Sequence, residues 1–246
     1  MGSSATGPSY LRPTPLSRQR NKLIRETPTW STLIGPQQKT TFYPRTMHSH
    51  GRLRGLSWLA TLDMPPALAA ALYLRDASGL KVKTDFAVPP LEPRVDRDSA
   101  LIAHATEQTA QAWDVWWSGL LERNPEFRGV PPLVPDPLPE LPADLRALIS
   151  TGLPNSDAWF RARKHEFIED QREGRARRPV RKIVAQVEAD LGRMAASFDL
   201  LISILPVTGV WGSRVRHDHV LISRALSCQD AEFADFLEPV IRELAA

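Results

Sequence analysis

"LLISILPVTGVWGSRVRHDHVLISRAL", residues 200–226, decides what this chain can be: two apolar runs, a Gly-punctuated connection, and His217-Asp218-His219 at the mouth of the second run. Phe198, Leu200, Ile202 and Ile204 alternate along the first run, as Val220 and Ile222 do along the second, with the period of two that marks strands. The connection, with Pro206, Gly209, Gly212 and Ser213, is rich in turn residues. We expect strands over 198–207 and 218–225, at the heart of a small, mainly antiparallel sheet.

If 217–219 is strand, His217 and His219 point to the same side, the geometry by which one strand supplies a metal with two ligands. A third ligand could come from His165, with Glu169 one helical turn on, or from Asp199 or Asp218, although Asp218 faces away from the histidines in a regular strand. "HEFIE", residues 165–169, begins like a zincin helix, but Glu169 stands where the second histidine belongs. The alternative is that both histidines sit at a strand mouth and hydrogen-bond to the loop. That reading is adopted, and no metal or other cofactor is expected.

Outward from this stretch, amphipathic helices dominate. Residues 98–123 place Ile102, Thr106, Thr109, Trp113, Trp116, Trp117 and Leu120 on one arc, with Glu107, Gln111, Ser118 and Glu122 opposite. Three indoles on one stripe are expected as a core face, each worth about 2 kcal/mol or more on burial, with an exposed aromatic platform for a ligand or nucleobase as the alternative. A helix near 142–150 precedes one over 155–173 with Trp159, Phe160 and Phe167 on one side, on which His165 and Glu169 do not lie. Another spans 179–191, with Val180, Ile183, Val184, Val187 and Leu191 in step and Gly192 as its stop. Ser227–Asp230 reads as a capping box opening a last helix through Phe233, Phe236, Leu237, Val240, Ile241 and Leu244, with a kink at Pro239. Nearer the N-terminus, "GLSWLATLD" reads as a strand from residue 56. Pro65-Pro66 opens a helix over 65–77 with Gly79 as its stop, and "KVKTDFAV", 81–88, alternates as a further strand. Six prolines over 131–142 exclude a regular helix and mark an extended linker.

Charge is uneven. Residues 1–55 hold six prolines, nine basic residues and the single acid Glu26, without sustained periodicity, and are expected to form a disordered basic arm. Met47 and Met64 also stand as internal start candidates, which leaves open whether 1–46 belong to the native protein. Arg172, Arg175, Arg177, Arg178, Arg181 and Lys182 form a second basic cluster, suited to phosphates or an acidic partner. Glu166, Glu169, Asp170 and Glu173 are the acids at hand to neutralise it. No apolar run approaches the roughly 18–20 residues of a membrane span and no signal-peptide core is present, so the expected location is the cytoplasm. Cys228 alone permits neither an internal disulfide nor a cysteine-based zinc cage, and is expected as a small buried side chain. Gly-rich phosphate loops and nucleophile elbows are absent.

The W-x-x-W-W helix at 113–117, "ILPVTGVW", "HVLIS" and the closing "DAEFADFLEPVIRELA" together resemble a group of uncharacterised actinobacterial proteins, over residues 56–246. The resemblance implies one folded unit and carries no activity. The expected architecture is therefore an α+β domain over 56–246 behind the arm. The leading function is a non-catalytic interaction or adaptor module for another protein. A metal-dependent hydrolase using His217 and His219, with Glu166 or Asp218 as base, and nucleic-acid binding through the arm stand as alternatives.

The arm reading has a direct check. Starting the chain at Met47 removes seven of the nine arm cations and the one acid, taking the formal net charge from +3 to −3. Thermal stability should change little, and any nucleic-acid affinity carried by the arm should vanish after having fallen steeply with salt in the full chain. Mobility-shift titrations at low and high salt, with melting curves, read both; unchanged binding would move the contact to 172–182.

Overall fold

The computed structural model describes residues 51–55, 57–84, 87–122, 141–172 and 180–246, of which 51–53 as backbone only. The fold is α+β. Its sheet takes β1 (Gly51–Arg54), β2 (Trp58–Asp63), β3 (Phe198–Leu205), β4 (Gly212–Arg216) and β5 (His219–Ser223) in the order β1-β2-β3-β5-β4. The outer pairs β1–β2 and β4–β5 are antiparallel, whereas β2–β3 and β3–β5 are parallel.

The sheet is thus mixed rather than mainly antiparallel, and β4 is the reason. The connection read as a turn contains this return strand, whose Gly and Arg residues hide its period. It lies outside β5, so the chain reverses twice and β5 comes back parallel to β3. Each strand of such a parallel pair is covered on both faces, which accounts for the near-continuous apolar runs at 200–205 and 220–222. At the other edge, Gly51–Arg54 belongs to the sheet and not to the arm, while residues 1–50 lie outside the described residues.

Helices cover both faces. On one, α5 (Val180–Leu191) and α7 (Asp230–Ala245) set Ile183, Val184, Val187, Phe233, Leu237 and Ile241 against Leu62, Ile202, Ile204, Val220 and Ile222. On the other, α1 (Pro66–Ser78), α3 (Glu107–Glu122) and the first half of α4 (Ala143–Arg172) bury Leu72, Leu74, Trp113, Trp117, Leu145 and Leu148 with Leu205 and Leu221. Pro65 and Pro66 start α1, where a missing N–H costs nothing, and Gly79 at φ 78° ends it with its N–H on the Arg75 carbonyl.

Several expected boundaries moved. The 98–123 helix is two: α2 (Ser99–Ile102), capped by the Asp98 carboxylate on the Ala100 N–H, and α3, whose first turn is held by Thr106 Oγ1 on the Thr109 N–H. The break shifts the helical phase, so Leu101 is buried while Ile102 is 47% exposed. The indole stripe is core all the same, with Trp113 and Trp117 stacked at 5.3 Å and Trp113 Nε1 donating to the Ala71 carbonyl. Residues 81–84 and 87–90 form no strand, and side chains of neighbouring helices take backbone groups a ladder would need: Asp114 of α3 accepts from the Lys83 N–H. Arg75 donates to the Val88 and Pro89 carbonyls, and Asp76 accepts from the Leu91 N–H.

The two helices expected around 154 are the single helix α4. Pro154 leaves only the carbonyl of exposed Ser150 without its helical donor, and Gly152 is a packing residue, since a Cβ there would lie 2.3 Å from a Leu74 methyl. Ser227 forms no capping box, for it closes the short helix α6 (Arg224–Ser227) by donating to the Arg224 carbonyl. The cap is Ser223, which accepts from the Leu226 N–H. Asp230 opens α7, which runs on through Pro239. Residues 131–140 of the expected linker lie outside the described residues.

Trp113→Ala should cost about 3–5 kcal/mol, the loss expected of an aromatic truncated in a packed core. Urea unfolding measures it, and a variant as stable as wild type would remove the indole stripe from the core.

Candidate functional site

Three parallel strands end on the same edge of the sheet: β2 at Asp63, β3 at Leu205 and β5 at Ser223. Open sheets characteristically hold ligands beyond the carboxyl ends of their parallel strands, where only loops and helix starts remain. Here that edge borders a cavity of about 860 Å³. Pro206 and Val207 follow β3 into it, and Arg224, Ala225 and Cys228 follow β5. Helix α4 contributes Arg163, Glu166 and Asp170, and the loop after α1 contributes Glu92 and Pro93.

Each wall has a sequence-local cause. Arg163, Glu166 and Asp170 stand at i, i+3 and i+7, one stripe of α4. The opposite wall is fastened to the strand ends by the Glu92 N–H on the Pro206 carbonyl, the Thr208 N–H on the Pro90 carbonyl, and an isolated bridge between Leu91 and Val207. Arg224 is in place because Ser223 ends β5 and caps the turn of helix that Arg224 begins.

The charges on the α4 side are paired. Arg224 donates from Nε to Asp170 Oδ2 at 2.6 Å and from Nη1 to Glu166 Oε2 at 2.9 Å, while Arg163 Nη2 lies 2.6 Å from Glu166 Oε1. Asp170 is 4% exposed, so Arg224 is the counter-ion that makes its burial tolerable. Beside this network Lys164 Nζ lies 2.7 Å from Asp63 Oδ1, tying α4 to the end of β2. Glu166 and Asp170 thus pair with Arg163 and Arg224. Of the 172–182 cluster, Arg172 lies 2.7 Å from Glu169, and Glu173 lies outside the described residues. Arg181 and Lys182 are exposed on the first turn of α5, and Arg175, Arg177 and Arg178 lie outside the described residues. Cys228, expected to be buried, is exposed on the cleft wall.

The two histidines of the opening stretch do not share a strand face. His217 and Asp218 form the two-residue turn between β4 and β5, and the strand begins only at His219. The side chain of His217 is 74% exposed, with Nδ1 3.7 Å from Asp218 Oδ1. His219 is turned into the sheet, 3% exposed, with Nε2 2.9 Å from Ser203 Oγ. His165 is exposed on α4. Among the described residues no three His, Cys, Asp or Glu side chains are arranged to hold a metal ion. His217, Asp199 and Asp218 do line a smaller cavity of about 410 Å³ at the amino end of β3, together with Glu243. There Glu243 is held by both terminal nitrogens of Arg214, and Asp218 lies 3.3 Å from Arg216 Nε.

Arg216 ties the β4–β5 hairpin to the end of α3. Arg216 Nη1 donates to the Glu122 carbonyl at 3.0 Å, placing a cation where a helix C-terminus favours one. The neighbouring Leu121 carbonyl lies on the His219 side and favours its protonated form, although His219 Nδ1 has no partner in hydrogen-bonding geometry. Burial dominates, helped by the Arg216 charge, and lowers the His219 pKa from 6.5 to about 4.

No family model, no curated protein and no solved structure matches the chain. Among the described residues no helix is long and apolar enough to cross a membrane.

A folded pKa below the unfolded one fixes the sign of the pH dependence. Stability carried by neutral His219 is complete above pH 6.5 and is lost as pH falls toward 4, because the unfolded chain takes the proton first. The loss should approach about 3 kcal/mol. Unfolding free energies measured across this window should fall less in His219→Gln than in wild type; parallel curves would show that His219 does not carry the acid sensitivity.

Proposed function

We propose that the chain is a non-catalytic interaction module that holds a segment of a partner protein in the cleft at the carboxyl ends of β2, β3 and β5. The observation that carries this reading is the pre-set wall: Arg224 is fixed between Glu166 and Asp170, and Arg163 is fixed on Glu166, before any ligand arrives. Side chains already ordered lose little entropy on binding, which is how a recognition surface of modest size gains affinity. An open cleft of this size with apolar patches between charged groups suits a short extended segment.

The hydrolase reading requires His217 and His219 to act on one metal, and the turn separates them. Nucleic-acid binding rests on the arm and is read out by the Met47 truncation.

A photo-crosslinking residue placed at Ala225 or Cys228 in the cleft, compared with one at Val115, 76% exposed on α3, tests the module in native cells. We expect a discrete adduct with one partner protein from the cleft positions and none from Val115. Identical adducts from all three positions, or chemical turnover of the captured partner, would overturn the reading.

A further inference from the structure

We propose that the cleft selects a cation on an aliphatic stem, the side chain of a lysine or arginine in the bound segment. The inference rests on the cleft being the binding surface and goes on to assign its chemistry. Of the five charged side chains that line it among the described residues, both guanidinium groups are already matched by carboxylates, Arg224 by Glu166 and Asp170 and Arg163 by Glu166. The carboxylate of Glu92 is the exception. It is exposed on the opposite wall and has no ion-pair or side-chain hydrogen-bond partner among the described residues. Among the described residues that line the cleft, three acids and two bases sum to a formal charge of −1, which favours one added positive charge.

The surroundings of Glu92 suit the rest of such a side chain. Pro93, which is exposed, adjoins it, and half-buried Ala225 lines the same cleft. Long cationic side chains lay their methylenes on apolar surface of this kind while the charged head stays in water. An anionic ligand meets the opposite situation. It would compete with Glu166, which bridges both guanidinium groups, while facing the negative charges of Glu92 and Asp170.

The cation also has a fixed place to go. Glu92 is held through its own backbone to the end of β3, so its carboxylate projects from an anchored loop. Because Glu92 is exposed, the preference it confers is modest, on the scale of a surface ion pair, and falls with salt.

The test uses the full chain and blocked alanine heptapeptides with a central lysine, arginine, norleucine or glutamate, followed by NMR shifts of the Val207 and Ala225 amides. We expect saturable shifts with the lysine and arginine peptides and binding roughly threefold weaker with norleucine, which keeps the stem and loses the charge. Glu92→Gln should abolish the preference for lysine over norleucine, while Glu92→Lys should reverse it. Equal binding of lysine and norleucine peptides, tighter binding of the glutamate peptide, or an unchanged preference in Glu92→Gln would overturn the inference and leave the interaction module standing. Absence of any cleft shift with all four peptides would overturn it too, and the crosslinking result then decides separately whether the cleft binds a partner at all.

Discussion

All five residues of β5 are buried, and the rest of the molecule is arranged around that fact. A strand with no exposed residue must have a neighbour on each edge and a layer over each face. The neighbours are β3 and β4, and the layers are the α1/α3 side and the α5/α7 side of the sheet. The insertion of β5 between β3 and β4 makes β3 and β5 parallel, and parallel strands bring their carboxyl ends to one edge. The cleft exists because of that alignment.

Helix α4 closes the arrangement from outside the sheet. Its first half packs on α1, where Gly152 lets Leu74 and Leu101 approach its backbone, and its second half buries Phe167 in the core on the other face. A helix shared by two cores must be fixed at the crossing, and three polar contacts do this: Lys164 with Asp63, Glu166 with Arg224, and Asp170 with Arg224. Of these the Asp170 contact is the most demanding, because a carboxylate this deeply buried is costly without its counter-ion. Structural clamp and candidate recognition wall are the same residues. A surface held this rigidly can recognise a segment without reorganising, and in the function proposed above its selectivity rests on Glu92, the charged lining side chain without a partner among the described residues.

The turn at 217–218 shows how a small difference in register changes the chemistry. Had the strand begun two residues earlier, both imidazoles would lie on one face, as alternation implies. Because it begins at His219, one ring is in solvent and the other lies against Ser203, held neutral by burial. The turn gains a structural duty instead, since Arg216 reaches the last carbonyl of α3.

By itself the sequence determined those elements whose stabilisation is periodic and local. The α5 stripe, the α7 stripe and the three indoles of α3 are buried as their spacing requires, because an apolar stripe at helical period has nowhere to go but a core. The strands β2, β3 and β5 were legible for the same reason. What the sequence left undecided turned on partners far away in the chain. Gly and Arg residues conceal β4 until β5 supplies its ladder, and Pro154 looks like a break until packing on both halves makes α4 continuous. Residues 81–88 alternate like a strand, yet Asp114 takes the Lys83 N–H and Arg75 the Val88 carbonyl. The candidate site belongs to this second class. Glu92, Arg163, Asp170 and Arg224 are ordinary surface letters in the sequence, and only the parallel alignment of β2, β3 and β5 gathers them around one cleft, since no local rule couples residues so far apart along the chain.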